Sequence, residues 1–271
     1  MHQFARNPRK RRRGYRLVHA ELQRELAKQG QPLNHKRIYR LWREEGLCVP
    51  AHRRKKKVRS GKPGSDLVAE EPDAVWCLDF LEQKSLYHQK LRILSVSDEF
   101  TREVLAIEVG TRFVSARVVA TLNRLVEQRG TPGALRMDNG PEFIALELRG
   151  MCYRQGIDPA HMAPGKPWQN GYAESFHSRL RDEFMDGEAF LGGKDAQVRL
   201  EGWRRYFNEE RLHSSLGYRA PCEFAALWAT WKEAADRAFA GSAPGSAEAE
   251  PAAPAAEENQ PVAGTEEAAG T

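Results

Sequence analysis

What this chain lacks narrows it first. Its four cysteines, Cys48, Cys77, Cys152 and Cys222, are widely scattered and form no CxxC pair. That excludes a zinc ribbon, a thioredoxin-type site and a disulfide framework, and fits a reducing cytosol. No stretch approaches the roughly 18 uninterrupted apolar residues of a membrane-spanning helix. The basic start MHQFARNPRKRRRGY is followed by no apolar segment, so it does not read as a secretory signal. GxxxxGK(S/T) and GxGxxG are both missing, and with them the common ATP and dinucleotide cradles. No Ser or Cys nucleophile motif is evident. What is present is a 271-residue chain, 41% hydrophobic with six Trp, enough for one large domain or two modest ones.

Charge is distributed in blocks. Residues 1–62 hold 20 Lys/Arg against four Glu, and residues 241–271 hold six Glu and no Lys/Arg. A strongly basic head on a near-neutral body is the electrostatic footprint of a polyanion partner, and points to nucleic acid over a merely solubilising face.

Residues 15–29, YRLVHAELQRELAKQ, place Leu17, Val18, Leu22 and Leu26 at helical spacing, and GQPL then breaks the helix. Asn34 is a good N-cap for HKRIYRLWREE, with Ile38, Leu41 and Trp42 on one face and Gly46 as the stop. This predicts a helix–turn–helix segment over residues 1–50, with Lys36, Arg37 and Arg40 on the second helix as DNA contacts. Residues 51–70 read as a basic linker. From Val75, VWCLDFLEQ, LRILSVSDEF and EVLAIEVG are three β-type runs. A helix, a strand, a helix, a short strand and a further helix follow, so residues 71–235 form a mixed sheet with helices packed on it, closed by C-terminal helices. Residues 236–271, rich in Ala, Pro and Glu, are expected to be a disordered acidic tail.

Three carboxylates stand where a folded chain has little reason to put them. Asp79 interrupts the apolar run VWCLDFL, on the strand face of Val75, Cys77 and Leu81. Asp138 ends a strand in RMDNGPEF. Glu174 lies in a helix, beside the stripe of Ala173, Phe176, Leu180 and Phe184. An unpaired carboxylate in a strand centre is costly to bury, and a hard divalent cation would offset that cost. Two such ions, roughly 4 Å apart, stabilise an in-line displacement at phosphorus. Taken singly, Asp79 also fits a strand-end hydrogen bonder, Asp138 an Asx-turn former and Glu174 a surface residue.

Together they resemble a known signature. Exactly 35 residues separate Asp138 from Glu174, as in the D,D-35-E pattern of insertion-sequence transposases and retroviral-type integrases. The words WCLDF, SDEFTRE, RMDNGPEF, PGKPWQNGYAESFHSRLRDEF and YFNEERLHSSLGYRAPCEF look like the OrfB product of the IS three family of bacterial insertion sequences. The resemblance covers roughly residues 14–228. It implies an α/β ribonuclease-H-like mixed sheet flanked by helices and preceded by the helix–turn–helix segment. Asp79, Asp138 and Glu174 would be the catalytic, metal-holding residues, with Mg²⁺ as cofactor and Mn²⁺ as substitute. Arg181, seven residues beyond Glu174, would hold a DNA phosphate, and Lys166, Gln169 and Asn170 would meet DNA on the loop before the catalytic helix. The activity implied is metal-dependent DNA cleavage and strand transfer, by a homo-oligomer on element ends and target DNA, in the bacterial cytoplasm at the nucleoid. The alternatives are a DNA-binding regulator, or a catalytically incomplete half that needs fusion to an OrfA partner. Asp98 and Glu99 are read as structural or surface groups, Glu142 as part of a helix start, His161 and His177 as structural or solvent-facing, and His213 as local support.

Overall fold

In the computed structural model, which describes residues 13–48, 67–162 and 171–241, the described residues begin with two helices. These are α1 (Tyr15–Ala27) and α2 (His35–Glu44). Asn34 caps α2, its side chain accepting from Lys36 N at 2.9 Å. Gly46, at φ 62°, turns the chain out of the helix. The intervening turn is tied to α1 through Leu33, whose N–H donates to Gln23 Oε1 and whose carbonyl meets His19 Nε2, both at 2.7 Å. Val18, Trp42 and Leu47 form the small core of this pair.

The main body is a five-stranded sheet: β1 (Val75–Lys84), β2 (Lys90–Asp98), β3 (Val104–Gly110), β4 (Ala134–Met137) and β5 (Asp158–His161), in the order β3-β2-β1-β4-β5. The first three strands form an antiparallel meander, while β4 and β5 lie parallel to β1. Helices α3 (Ser115–Arg129) and α4 (Leu146–Gln155) make the crossovers between the parallel strands. After β5 come α5 (Gly171–Leu180), one π-helical turn over Arg181–Met185, α6 (Gly193–Glu209) and α7 (Pro221–Gly241).

The period of two along β1 sorts the core into two layers. Trp76 and Leu78, with Leu135 and Met137 of β4, face α3 and α4 through Val118, Leu122, Leu148 and Met151. Leu81, with Ile93 and Ile107, faces α5 and α6 through Phe176, Leu180, Leu200 and Trp203. Both layers agree with the strand faces read from VWCLDFL. Helix α4 starts later than EFIALELRG suggests. Phe143 is fully buried and stacks on Phe80 at 5.1 Å, so residues 140–145 are drawn into a turn before the helix begins. Glu142 is therefore not at a helix start; it is ion-paired to Arg92. The basic-linker residues 51–66, the loop residues Lys166, Gln169 and Asn170, and the tail beyond Gly241 lie outside the described residues.

Helix α6 also closes the sheet. Strand β3 is an edge, and its outward backbone groups would otherwise be open to another strand. Asn208 Oδ1 accepts from Val104 N at 2.8 Å while its Nδ2 donates to Val104 O at 2.9 Å. Gln197 does the same one stretch further on, accepting from Val109 N at 2.7 Å and donating to Ile107 O at 2.8 Å. Replacing the buried Asn208 by Ala leaves both groups of Val104 without this partner. We expect Asn208→Ala to lower the unfolding free energy by about 1–3 kcal/mol in urea titration, with an unchanged m-value.

Candidate active site

The parallel pairing of β1 and β4 sets Val75 beside Ala134, Trp76 beside Leu135 and Cys77 beside Arg136. Two positions beyond that last pair stand Asp79, within β1, and Asp138, one residue past the end of β4. Cys77, Asp79, Arg136 and Asp138 thus share one sheet face, the face covered by α5. Glu174 is exposed in the first turn of α5, on the side that carries His177 one turn later.

Two of the three carboxylates are held locally. Asp79 Oδ1 accepts from Phe80 N at 2.7 Å, and Oδ2 lies 3.6 Å from His177 Nδ1. Asp138 Oδ1 accepts from Gly140 N at 2.9 Å, which is the Asx-turn geometry. Asn139 ties this turn to the next strand end, donating to Met162 O at 2.8 Å. A Cβ at Gly140 would fall 2.9 Å from Asp138 Oδ1, so a larger residue there makes the Asp138 carboxylate move. Among the described residues, no three His, Cys, Asp or Glu side chains close into one metal-holding group.

His177 is the residue that joins the helix to the strands. It is buried, and its Nε2 lies 3.0 Å from Ser95 Oγ on β2. Ser95 Oγ is also 3.2 Å from Asp79 O. One hydroxyl proton cannot serve both contacts. With the Ser95 hydroxyl donating to Asp79 O, both contacts are satisfied when Nε2–H donates to Ser95 Oγ; Nδ1, 3.6 Å from Asp79 Oδ2, lies beyond hydrogen-bond range. Burial, helped by the Arg181 charge, pushes the His177 pKa down to about 4, so the ring is neutral at pH 7 and its contact with Asp79 is dipolar. Arg181 itself is exposed on the first residue of the π turn. Sequence reading gave His177 a structural or solvent-facing role; the signal for its place at the site was its i+3 spacing from Glu174.

Beneath the carboxylates lies a buried polar layer that the sequence did not announce. Arg136 Nε sits 2.7 Å from Glu99 Oε1, and its Nη2 donates to Leu67 O at 2.7 Å. Burial pushes the Glu99 carboxyl up to about 7, against the opposing pull of Arg136 and Arg102. The Arg102 guanidinium lies 4.0 Å from the centroid of the Tyr172 ring, in the first turn of α5. Asp98 accepts from Thr101 Oγ1 at 2.6 Å and from its N–H at 3.1 Å. Both acids at the end of β2 are structural and buried. Beyond α5, the buried Arg211 donates its Nε to Glu183 Oε2 at 2.8 Å, and Arg13 of the N-terminal segment lies 3.3 Å from the same oxygen. His213 packs edge-on against Phe207 at 4.6 Å, and burial holds its pKa well below the usual value.

The helix–turn–helix contacts expected from sequence, Lys36, Arg37 and Arg40, are all exposed on α2, and Arg40 Nε lies 3.9 Å from Glu44. No helix among the described residues is long and apolar enough to cross a membrane.

A mixed sheet of this order behind an N-terminal helix pair, with Asp79 within β1 and Asp138 just past the end of β4, is the layout expected of an integrase-type polynucleotidyl transferase. Comparison with known proteins agrees. Residues 69–167 match a family model described as an integrase core domain, residues 155–221 match a second model so described, and residues 3–56 match an HTH-like domain. A 31.7 kDa uncharacterized protein of insertion element IS407 from Burkholderia multivorans is 39% identical over 217 residues, covering 80% of this chain and 76% of that protein. A 39.2 kDa protein of insertion element IS476 from Xanthomonas euvesicatoria is 37% identical over 220 residues, covering 81% of this chain and 62% of that one. Transposase InsD of insertion element IS2 from Escherichia coli is 31% identical over 222 residues, covering 78% of this chain and 72% of that one. The catalytic core domain of BIV integrase superposes with a TM-score of 0.46 at 21% identity, over 59% of this chain and 99% of that one. The chain belongs to the transposases of bacterial insertion elements.

Two measurements check the local geometry. Gly140→Ala displaces the Asp138 carboxylate from its turn, and we expect strand-transfer activity to fall about 100-fold while the melting temperature hardly changes. His213 has a depressed folded-state pKa, so its stabilising effect is complete above about pH 6.5 and is lost as pH falls toward the folded value. His213→Gln should therefore show a shallower loss of melting temperature between pH 7 and pH 5 than the parent protein.

Proposed function

We propose that Asp79, Asp138 and Glu174 are the catalytic carboxylates with which this transposase cuts DNA at its element's ends and joins the freed 3′-hydroxyl to target DNA. The observation that supports this reading is the β1–β4 register, whose last pair, Cys77 with Arg136, stands two residues before Asp79 and Asp138, on the sheet face covered by the helix that bears Glu174. The donor set is chemically right for the metals of such reactions: three carboxylates, all hard oxygen ligands, as Mg²⁺ prefers and Mn²⁺ accepts. The bound metal supplies charge neutralisation at phosphorus and a more acidic attacking hydroxyl.

The remaining tasks fall to the chain's own side chains. Neutral His177, 3.6 Å from Asp79 Oδ2, packs beside the carboxylate without competing for it as a cation. Arg181, exposed one turn past His177, holds a non-bridging phosphate oxygen by a charge-assisted hydrogen bond. Lys166, Gln169 and Asn170 contact the DNA strand before α5. Lys36, Arg37 and Arg40 of α2 bind the duplex at the element ends. Pairing two ends calls for a homo-oligomer on DNA, with an OrfA product as a further partner, acting at the nucleoid in the bacterial cytoplasm.

Supercoiled plasmid carrying the DNA that flanks this gene tests the reading. Incubated with the chain and Mg²⁺, it should yield nicks with free 3′-hydroxyls at the element ends, then joined products. Glu174→Gln should reduce both at least about 1,000-fold while binding the same DNA. Retention of cleavage in Glu174→Gln would refute the assignment of the carboxylates. DNA binding with no carboxylate-dependent cleavage would instead mark the chain as incomplete without an OrfA fusion.

A further inference from the structure

The C-terminal word HSSLGYR has no part in the carboxylate chemistry, yet the fold places it with care. His213 N donates to Arg219 O at 2.9 Å and Tyr218 N to His213 O at 2.8 Å, closing a tight bridged turn over residues 213–219. Gly217 and Tyr218 both sit in the left-handed region, at φ 61° and 56°. For Tyr218 that conformation costs about 1 kcal/mol, and such strain gathers at ligand clamps. The Arg219 side chain lies over Gly217, where a Cβ would fall 2.7 Å from its Nη1. The turn thus holds Tyr218 and Arg219 in one fixed presentation.

That presentation faces the N-terminal helices. Gly217, Tyr218 and Arg219 form one wall of an open cleft of about 610 Å³, and Arg16, Arg24 and His35 form part of the other. Arg24 Nη2 bridges the two sides to Glu223 Oε2 at 2.6 Å. Three guanidiniums face one carboxylate here, so the cleft is formally cationic. Guanidinium forks match phosphate oxygens in pairs, and a tyrosine hydroxyl adds a further donor. The cleft is open rather than enclosed, and it is far larger than one phosphate needs. It also lies beside α1, apart from the α2 residues Lys36, Arg37 and Arg40.

We propose that this cleft is a second phosphodiester site, in which the DNA backbone is gripped between the helix–turn–helix pair and the Gly217–Arg219 turn. The site makes end binding a joint act of the N-terminal segment and the catalytic body. It rests on the reading of this chain as a DNA-joining enzyme.

The test is fluorescence anisotropy of the full chain with a labelled duplex of about 30 base pairs, over a range of salt. Arg16→Gln combined with Arg219→Gln should weaken binding about 10-fold near physiological salt, and the slope of log affinity against log salt should fall by about 1 to 2. Arg124→Gln, on the helix covering the other sheet face, removes one charge elsewhere and should leave affinity and slope unchanged. If the double variant fails to show a normal melting transition, Arg16→Glu alone, on an exposed side chain, carries the same expectation. Parent protein that binds duplex, with cleft variants of equal affinity and slope, would overturn the cleft assignment alone. Parent protein that binds no duplex would overturn the DNA-joining reading and the cleft with it. Inorganic phosphate, titrated at constant ionic strength, separates the two sources of phosphate. Displacement of the duplex by millimolar phosphate from the parent but not from the double variant would replace DNA by a free anion as the occupant; resistance to it supports the DNA track.

Discussion

The parallel pairing of β1 with β4 is the constraint on which the rest of the site depends. Antiparallel neighbours would allow β1 to be built from hairpins alone. A parallel neighbour requires a crossover, and the α3 helix supplies it. The crossover brings the end of β4 to the same level as the middle of β1, so two carboxylates 59 positions apart in sequence share one sheet face. A face that carries Asp79 and Asp138 cannot be sealed by an apolar layer. The covering helix therefore carries the exposed Tyr172 and Glu174 beside the small buried Ala173 in its first turn, and its large apolar side chains, Phe176 and Leu180, lie over Leu81 and Ile93.

Helix and sheet are then locked by polar contacts rather than by packing alone. The Ser95–His177 bond fixes α5 to β2, and the Arg102–Tyr172 contact holds its first turn. The Glu183–Arg211 pair fastens the π turn that follows. Buried ion pairs such as Arg136–Glu99 are weak as net stabilisers, because desolvation offsets much of the Coulomb attraction. Their effect is positional: each has one geometry that satisfies it, and a shift of the π turn after α5 would part the buried Glu183 from Arg211. A site that must hold three like-charged groups in register gains from such all-or-none anchors.

Much of this was legible in the residues. The alternation in VWCLDFL gave the correct faces of β1, and Asn34 and Gly46 marked the ends of α2 because capping is a local matter. The order of strands and helices, and the positions of Asp79, Asp138 and Glu174 on them, followed from periodicity. What escaped were relations between distant segments. Phe143 delays the start of α4 by entering a core that only the folded sheet creates. Glu99 reads as one more polar residue at a strand end until Arg136 from β4 lies against it. The amides of Gln197 and Asn208 look like any helix residues until β3 lies beside them. The residues expected to touch DNA, including Lys166, Gln169 and Asn170, are fixed by a partner's shape, to which periodicity is blind.

The closed sheet edge has a consequence for how copies of the chain can meet. With Asn208 and Gln197 bonded to β3, that margin offers few free amides to an incoming strand. The other margin, β5, is four residues long and contains Pro159, which has no N–H to give. Neither border is suited to extending the sheet from one molecule into the next. Copies of the chain that pair would therefore meet through helix surfaces and loops, not by strand addition. The same borders guard the protein against fibrillar stacking at the high local concentration that a crowded DNA substrate imposes.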